Sequence, residues 1–252
     1  MNSKAINIVW LKRDLRSQDH LPLLKAERAG IPYLIIYLFE PSRIEYPDTS
    51  QRHLQFAYNS IDNLNTVLSE FNRRVDLFYG EAIDVFNYLI KDLKIISVFS
   101  YQESGTQGSW ERDKKIKDFC KLNKINWEES QRDGIIRGIK NRVDWNKKWY
   151  HKMHTPVIQN KYTISKETCL EHPFLMPSKL KSQLKEYPNY YQPAGQENAW
   201  RYLKSFTKKR GFNYQRHISK PTESRMSCSR LSPYLAWGNM SVRQAFQFVG
   251  TH

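Results

Sequence analysis

The run Cys228-Ser229-Arg230-Leu231-Ser232-Pro233 concentrates groups that can hold an anion. The hydroxyls of Ser229 and Ser232, with the unpaired backbone N–H groups of a starting helix, suit a phosphate. Pro233 belongs in a first helical turn, where its missing N–H costs nothing. The same serines also serve as ordinary helix caps, so the string alone leaves both roles open. A second charged run, Lys12-Arg13-Asp14-Leu15-Arg16, follows an apolar stretch and leads to Asp19-His20. Arg13, Asp14 and Arg16 either tie a strand end to its neighbours through charged hydrogen bonds or meet a ligand directly. No GxGxxG follows that strand and the chain holds only 10 glycines, so a glycine-cradled pyrophosphate is not expected. Cys120, Cys169 and Cys228 are odd in number, far apart and without a CxxC, which argues against a disulfide framework and against a metal site.

Charge is the next chemical signal. The chain carries a formal +15, with pI near 9.6. Residues 1–126 hold 18 Lys+Arg against 16 Asp+Glu, whereas residues 127–252 hold 22 against 9, so the second half is the basic one. Its basic residues interleave with aromatics: Arg142, Trp145, Lys147, Lys148, Trp149, Tyr150 and Lys152, then Trp200, Arg201, Tyr202, Lys204 and Phe206. A polyanion partner accounts for this pattern through counterion release, and a generally basic, solvated surface accounts for it equally well.

These groups need elements to position them. Apolar runs at 5–11, 32–39, 75–79 and 95–99, and a weaker one at 125–127, read as strands; 32–39 is nearly continuous, as in a strand buried on both faces. Between them, 50–72, 81–93 and 107–123 repeat apolar residues at three- and four-residue steps and read as helices. The alternation predicts an α/β domain over 1–130, a parallel sheet with helices on both faces and right-handed crossovers. Residues 131–195 form a connector, and its part from 155 to 195, with prolines at 156, 173, 177, 188 and 193, has poor helical periodicity. Residues 196–252 open a helical domain: 196–210 is amphipathic with Gly211 as its stop, and 231–249 is again helical in pattern. A chain of 252 residues allows one large or two small domains at about 150 residues per domain. It has no run of about 18 apolar residues, which excludes a transmembrane helix, and no signal-peptide pattern, so a cytoplasmic protein is expected.

Two stretches resemble one family. Ile8-Val9-Trp10-Leu11-Lys12-Arg13-Asp14-Leu15-Arg16, with Asp19-His20 beyond, resembles the opening of the photolyase/cryptochrome family, with His20 where the family more often has Asn. The string 228–233, followed by Tyr234-Leu235-Ala236-Trp237-Gly238-Asn239, Ser241, Arg243 and Gln244, resembles the segment that opens the family's flavin-binding helical domain. Residues 99–105 with Trp110 and Arg112-Asp113, then 133–137 and 145–149, resemble the class III, plant-cryptochrome-like branch. Gly195-Gln196-Glu197 and Tyr214-Gln215-Arg216 resemble the approach to the flavin domain, so the likeness runs along essentially the whole chain.

The resemblance implies a Rossmann-like antenna domain, a linker and the start of an all-helical FAD-binding domain. It implies light-driven, flavin-dependent repair of pyrimidine dimers in DNA by a carbon–carbon lyase. In that activity the excited reduced flavin passes an electron to a dimer flipped from the duplex. A cryptochrome blue-light photoreceptor of the same fold is the alternative. The α/β domain is expected to carry an antenna chromophore such as a folate or deazaflavin. By position, Tyr214, Cys228, Ser229, Arg230, Leu231 and Ser232 become flavin contacts. Cys228 stands where many relatives have Thr, and its thiol is the weaker donor. Arg230 is expected in a structural ion pair rather than on DNA, and Tyr214 also fits the role of an ordinary buried aromatic.

The helical domain of that family continues for about as many residues again. An N-terminal fragment is therefore expected, lacking the C-terminal helical domain, with no catalytic residue of its own and with weak or absent FAD binding. Its tail beyond about residue 195 is expected to pack poorly alone or to self-associate. A stand-alone nucleotide-binding module would not carry the 228–233 string, and a generic nucleic-acid-binding module would bind DNA in a salt-sensitive way.

Overall fold

The computed structural model describes residues 5–166 and 170–251; Cys169 lies outside them. Five strands, β1 (Ala5–Leu11), β2 (Tyr33–Phe39), β3 (Val75–Tyr79), β4 (Lys94–Tyr101) and β5 (Asn126–Ser130), form one parallel sheet in the order β3-β2-β1-β4-β5. All five coincide with the apolar runs of the sequence to within a few residues. Strand residues alternate between two cores, as a period of two demands. Ile8, Trp10, Ile36, Phe78 and Val98 face α4 (Ala82–Asp92) and α5 (Gln107–Leu122). Val9, Leu11, Ile35, Phe39 and Phe99 face α1 (Leu21–Arg28) and α3 (Gln51–Leu68), with the short α2 (Pro41–Ile44) after β2.

Helix α1 is absent from the sequence reading because eight residues give too few turns for periodicity. Its signals are local instead: Pro22 in the first turn, and the His20 ring accepting a hydrogen bond from the Leu23 N–H at 3.2 Å.

The connector departs from a free linker. It contains α6 (Trp145–His154) and α7 (Ser178–Lys185), and it straps the α/β domain. Tyr79 N–H donates to the Phe174 carbonyl at 2.9 Å beside edge strand β3. The Gln55 side chain donates to the Gln183 and Glu186 carbonyls, and Leu184 is fully buried against α3. Outside its helices, side chains of the sheet domain satisfy part of the strap's backbone: Asn72 and Arg73 donate to the Ser165 and Thr163 carbonyls.

The tail comprises α8 (Gln196–Lys208), α9 (Tyr214–His217), α10 (Pro221–Ser227), α11 (Ser232–Trp237) and α12 (Val242–Gly250). Its inner seam is packed: Phe56 of α3 joins Ala199, Leu203, Leu231, Tyr234 and Met240 in one buried cluster. Its outer side leaves Phe212, Ile218, Met226 and Val249 exposed. The pattern over 231–249 is two helices, not one. Gly238 takes the left-handed conformation (φ +71°) and stops α11, while Ser241 and Gln244 form a capping box that starts α12. Among the described residues no helix is long and apolar enough to cross a membrane.

Candidate functional site

The run after β1 turns out to be the joint between sheet domain and tail. Asp14 is buried and accepts from the Lys12 N–H at 2.7 Å and from His20 Nε2 at 2.8 Å. His20 receives the Leu23 N–H on Nδ1, so its proton sits on Nε2. Burial pushes its pKa down, with Asp14 opposing, and the ring stays neutral. Burial works against the Asp14 carboxylate, but His20, the Lys12 N–H and Arg16 outweigh it and hold its pKa below the ordinary value. Arg16 donates to the carbonyls of Asp19 (3.0 Å) and Gly238 (3.1 Å). Leu15 N–H reaches the Trp237 carbonyl at 3.1 Å, and Asn239 Nδ2 reaches the Leu15 carbonyl at 3.0 Å. Of the two roles open to Asp14 and Arg16, the contacts are those of the tie. Arg13 donates to Glu103 at 3.3 Å and lies 5.3 Å from the Trp237 ring.

A cavity of about 530 Å³ opens above the C-terminal ends of β1, β2 and β4. The chain winds from β1 out to β3 and then crosses back to β4, so this is the point where strand order reverses and where open α/β sheets take ligands. The rim residues follow directly after the strands: Lys12 and Arg13 after β1, Glu40 and Arg43 after β2, Glu103 after β4. Arg112 of α5 organises them, with Nη1 2.8 Å from Glu40 and Nη2 2.7 Å from Glu103, its guanidinium 4.8 Å from the centre of the Trp10 ring. Lys12 is buried between Trp10 and Trp127 and pairs with Asp113 at 2.9 Å. Burial lowers its pKa, helped by the charge of Arg112 and opposed by Asp113, Glu103 and Glu129. Burial also resists ionisation of Glu103, yet Arg112, Arg43 and Lys12 together hold it at about 2. Glu40 goes the other way: burial outweighs Arg112 and raises it.

The acidic groups of this rim are already paired, whereas Arg43 Nη1 is buried with no hydrogen-bond partner among the described residues. Tyr37, Phe39, Ile44, Leu54 and Trp237 supply apolar wall. An aromatic ring system with an acceptor at its edge fits that combination. Glu40 and Arg43 escaped the sequence reading; their one signal is that they directly follow the most continuous apolar strand.

The structure brings 228–232 together at the turn between α10 and α11. Leu231 is buried, Cys228, Ser229 and Arg230 are half-buried and Ser232 is exposed. The Cys228 carbonyl accepts from Arg210 Nη1 at 2.6 Å and the Ser229 carbonyl from Nη2 at 3.3 Å, leaving the side chains of both residues to other uses. The only polar contact of the Ser229 hydroxyl among the described residues is the Leu231 N–H at 3.5 Å. Those hydroxyls and the turn fit a phosphate-bearing group. Arg230 departs from the expected ion pair: its Nε donates to Gln192 Oε1 at 3.2 Å, and among the described residues no carboxylate meets it. The left-handed backbone at Arg230 (φ +60°) aims the side chain back at the strap. Tyr214 begins α9, half-buried, its ring edge-on to Phe206 at 5.9 Å, so it packs against α8. Among the described residues no cluster of His, Cys, Asp and Glu could hold a metal ion.

Comparison with known proteins places this geometry. The family model for DNA photolyase matches residues 7–161. The deoxyribodipyrimidine photo-lyase of Buchnera aphidicola is 23% identical over 269 residues, covering 96% of this chain and 53% of its own length. Cryptochrome DASH of Xenopus laevis is 24% identical over 190 residues, covering 69% of this chain and 34% of its own length. Among solved structures, a class III photolyase from Agrobacterium tumefaciens superposes with a TM-score of 0.78 at 18% identity, over 98% of this chain and 53% of that one. An archaeal photolyase from Sulfolobus tokodaii, described with two FAD molecules and a novel light-harvesting cofactor, gives 0.73 at 21%, over 96% and 54%. The chain thus spans about half the length of the photolyases it matches. With the family model spanning most of the sheet domain and strap, and with the fold shared to the end of the tail, this chain belongs to the DNA photolyase family.

Proposed function

We propose that this chain is the light-harvesting domain and the opening part of the flavin domain of a deoxyribodipyrimidine photolyase. Such an enzyme is a carbon–carbon lyase that splits pyrimidine dimers in DNA under light. The observation that carries this reading is the joint, hydrogen-bonded from Leu15 to Trp237 and Asn239, that ties the strand-end cavity to the tail. The strand-end cavity lies on one side, and the 228–232 turn on the other. Bound FAD would supply the photochemistry. Around it, Ser229, Ser232 and the backbone of the turn would hold phosphate, and Cys228, Leu231, Arg230 and Tyr214 would line the approach. The cavity would hold an antenna chromophore, a planar aromatic whose edge acceptor takes the free Arg43 N–H. A folate, a deazaflavin or a second flavin belongs to that class. The exposed Phe212, Ile218, Met226 and Val249 would pack against further helices of the flavin domain, or against a second copy where those helices are absent. Damaged DNA is the partner that suits the basic second half, and a cytoplasmic location accompanies this reading.

The test is dimer repair under blue light by the intact gene product, alongside the absorption spectrum of the isolated chain. Repair by the intact protein, with little or no FAD at the 228–232 turn and no repair by residues 1–252 alone, is the expected result. Stoichiometric FAD held at the 228–232 turn of the isolated chain, as opposed to a flavin seated in the strand-end cavity, would sink the division of labour proposed here. The likeness to Cryptochrome DASH favours a second reading, a blue-light receptor, which light-dependent signalling without dimer repair would select.

A further inference from the structure

Every residue lining the strand-end cavity comes from positions 10–116 except one, Trp237, the last residue of α11. Its indole packs against both the sheet-domain core and the tail seam. It sits 5.3 Å from the Arg13 guanidinium, which reaches Glu103 at 3.3 Å, and Glu103 in turn pairs with Arg112 and Arg43. The backbone beside Trp237 is equally constrained. A Cβ on Gly238 would stand 2.2 Å from the Arg13 carbonyl oxygen and 2.6 Å from the Asp14 Cα. Trp237 and Arg13 therefore belong both to the wall of the cavity and to the seat of the tail.

We propose that Trp237 and Arg13 couple the two sites. Docking of the tail completes the strand-end cavity, and a ligand in that cavity holds the tail docked in return. This rests on the reading of the cavity as a chromophore site and adds a positioning role for a residue of the flavin-domain side. Coupling of this kind is reciprocal: the factor by which tail docking tightens the ligand equals the factor by which the ligand tightens docking. The occupant would thereby report to the flavin domain whether the cavity is filled.

The test uses the full chain with FMN as the reporter ligand. FMN affinity is read from quenching of its fluorescence, and tail docking from the rate of tryptic cleavage beyond residue 196. Trp237→Ala and Gly238→Ala, the latter at a position that does not line the cavity, should each weaken FMN about tenfold, and Trp237→Phe should restore most of the loss. Saturating FMN should slow tail cleavage of the wild type several-fold, an effect that needs no variant to fold. Tyr46→Ala, on the cavity rim away from the joint, should weaken FMN yet keep that protection at saturation. If Tyr46→Ala weakens FMN while Trp237→Ala and Gly238→Ala bind like wild type and FMN leaves cleavage unchanged, the coupling is wrong and the cavity reading stands. If wild type takes up neither FMN nor, in the same assay, a folate or a deazaflavin, the cavity reading falls and the coupling with it.

Discussion

Asp19, in the loop after β1, and Arg243, 224 residues later on α12, form an ion pair in which the carboxylate is buried and the guanidinium half-buried. Arg243 Nε lies 3.1 Å from Asp19 Oδ2 and Nη2 contacts Oδ1. The Ser241 hydroxyl and the Ile158 N–H complete the carboxylate's partners. Burial disfavours the charge, but Arg243, Ser241 and Ile158 outweigh it and hold Asp19 below the ordinary carboxylate range. One aspartate thus gathers sheet domain, strap and tail.

Arg243→Ala leaves that carboxylate buried without its countercharge, which costs about 3–5 kcal/mol. Urea unfolding should show the loss, and trypsin should cut the tail of the variant faster than that of wild type. Equal unfolding midpoints would mean that Asp19 is satisfied by Ser241 and Ile158 alone.

Glu103 gives a pH signature. Its pKa falls from an ordinary 4.5 to about 2 on folding, so its stabilisation is complete above pH 4.5 and is lost as pH drops from there towards 2. The difference corresponds to about 3 kcal/mol. Glu40 acts with opposite sign, because its raised folded pKa makes protonation favour the native state as pH falls. Glu103→Gln should flatten the acid limb of a stability-against-pH curve between 4.5 and 2, whereas Glu40→Gln should act only above pH 4.5, removing the gain in stability as pH falls towards 4.5; an unchanged acid limb in Glu103→Gln counts against the assignment.

The tail seam rests on a few rings. Tyr234 is fully buried, 5.6 Å from Phe56, and its hydroxyl donates to the Pro193 carbonyl at 2.7 Å. Tyr234→Phe should cost about 1 kcal/mol, the worth of one hydrogen bond. Phe56→Ala, by opening a cavity between α3 and the tail, should cost about 3–5 kcal/mol. Hydrogen exchange should place the second loss mainly in α8 and α11.

Thiol labelling checks the core. Burial pushes Cys120 up to about 12, and it lies between α5 and the sheet. With Cys169→Ser and Cys228→Ser in place, a disulfide reagent at pH 8 should modify no thiol in the native protein and one after denaturation. Rapid native labelling would show that α5 is not seated as described.

Five strands, three of the crossover helices and the first tail helix were legible from residue order, because each is a local pattern: an apolar run for a strand buried on both faces, or a three- and four-residue repeat for an amphipathic helix. The 228–233 string was legible too, as a sequence of types suited to a turn before a helix. What residue order left open was decided by contacts between distant segments. The strap looked like a linker because its order comes from Gln55, Asn59 and the edge of β3 rather than from its own periodicity. Position 238 takes only glycine because it turns left-handed to end α11 and because the Arg13 carbonyl occupies the space a side chain would need. Arg230 meets Gln192 instead of a carboxylate because the strap runs past it. The rim formed by Glu40, Arg43, Glu103 and Arg112 exists only once the strands lie in the order 3-2-1-4-5. Burial and local pairing fix the elements; only folding brings charges separated by tens or hundreds of residues within hydrogen-bonding distance and sets which of them remain free for a ligand.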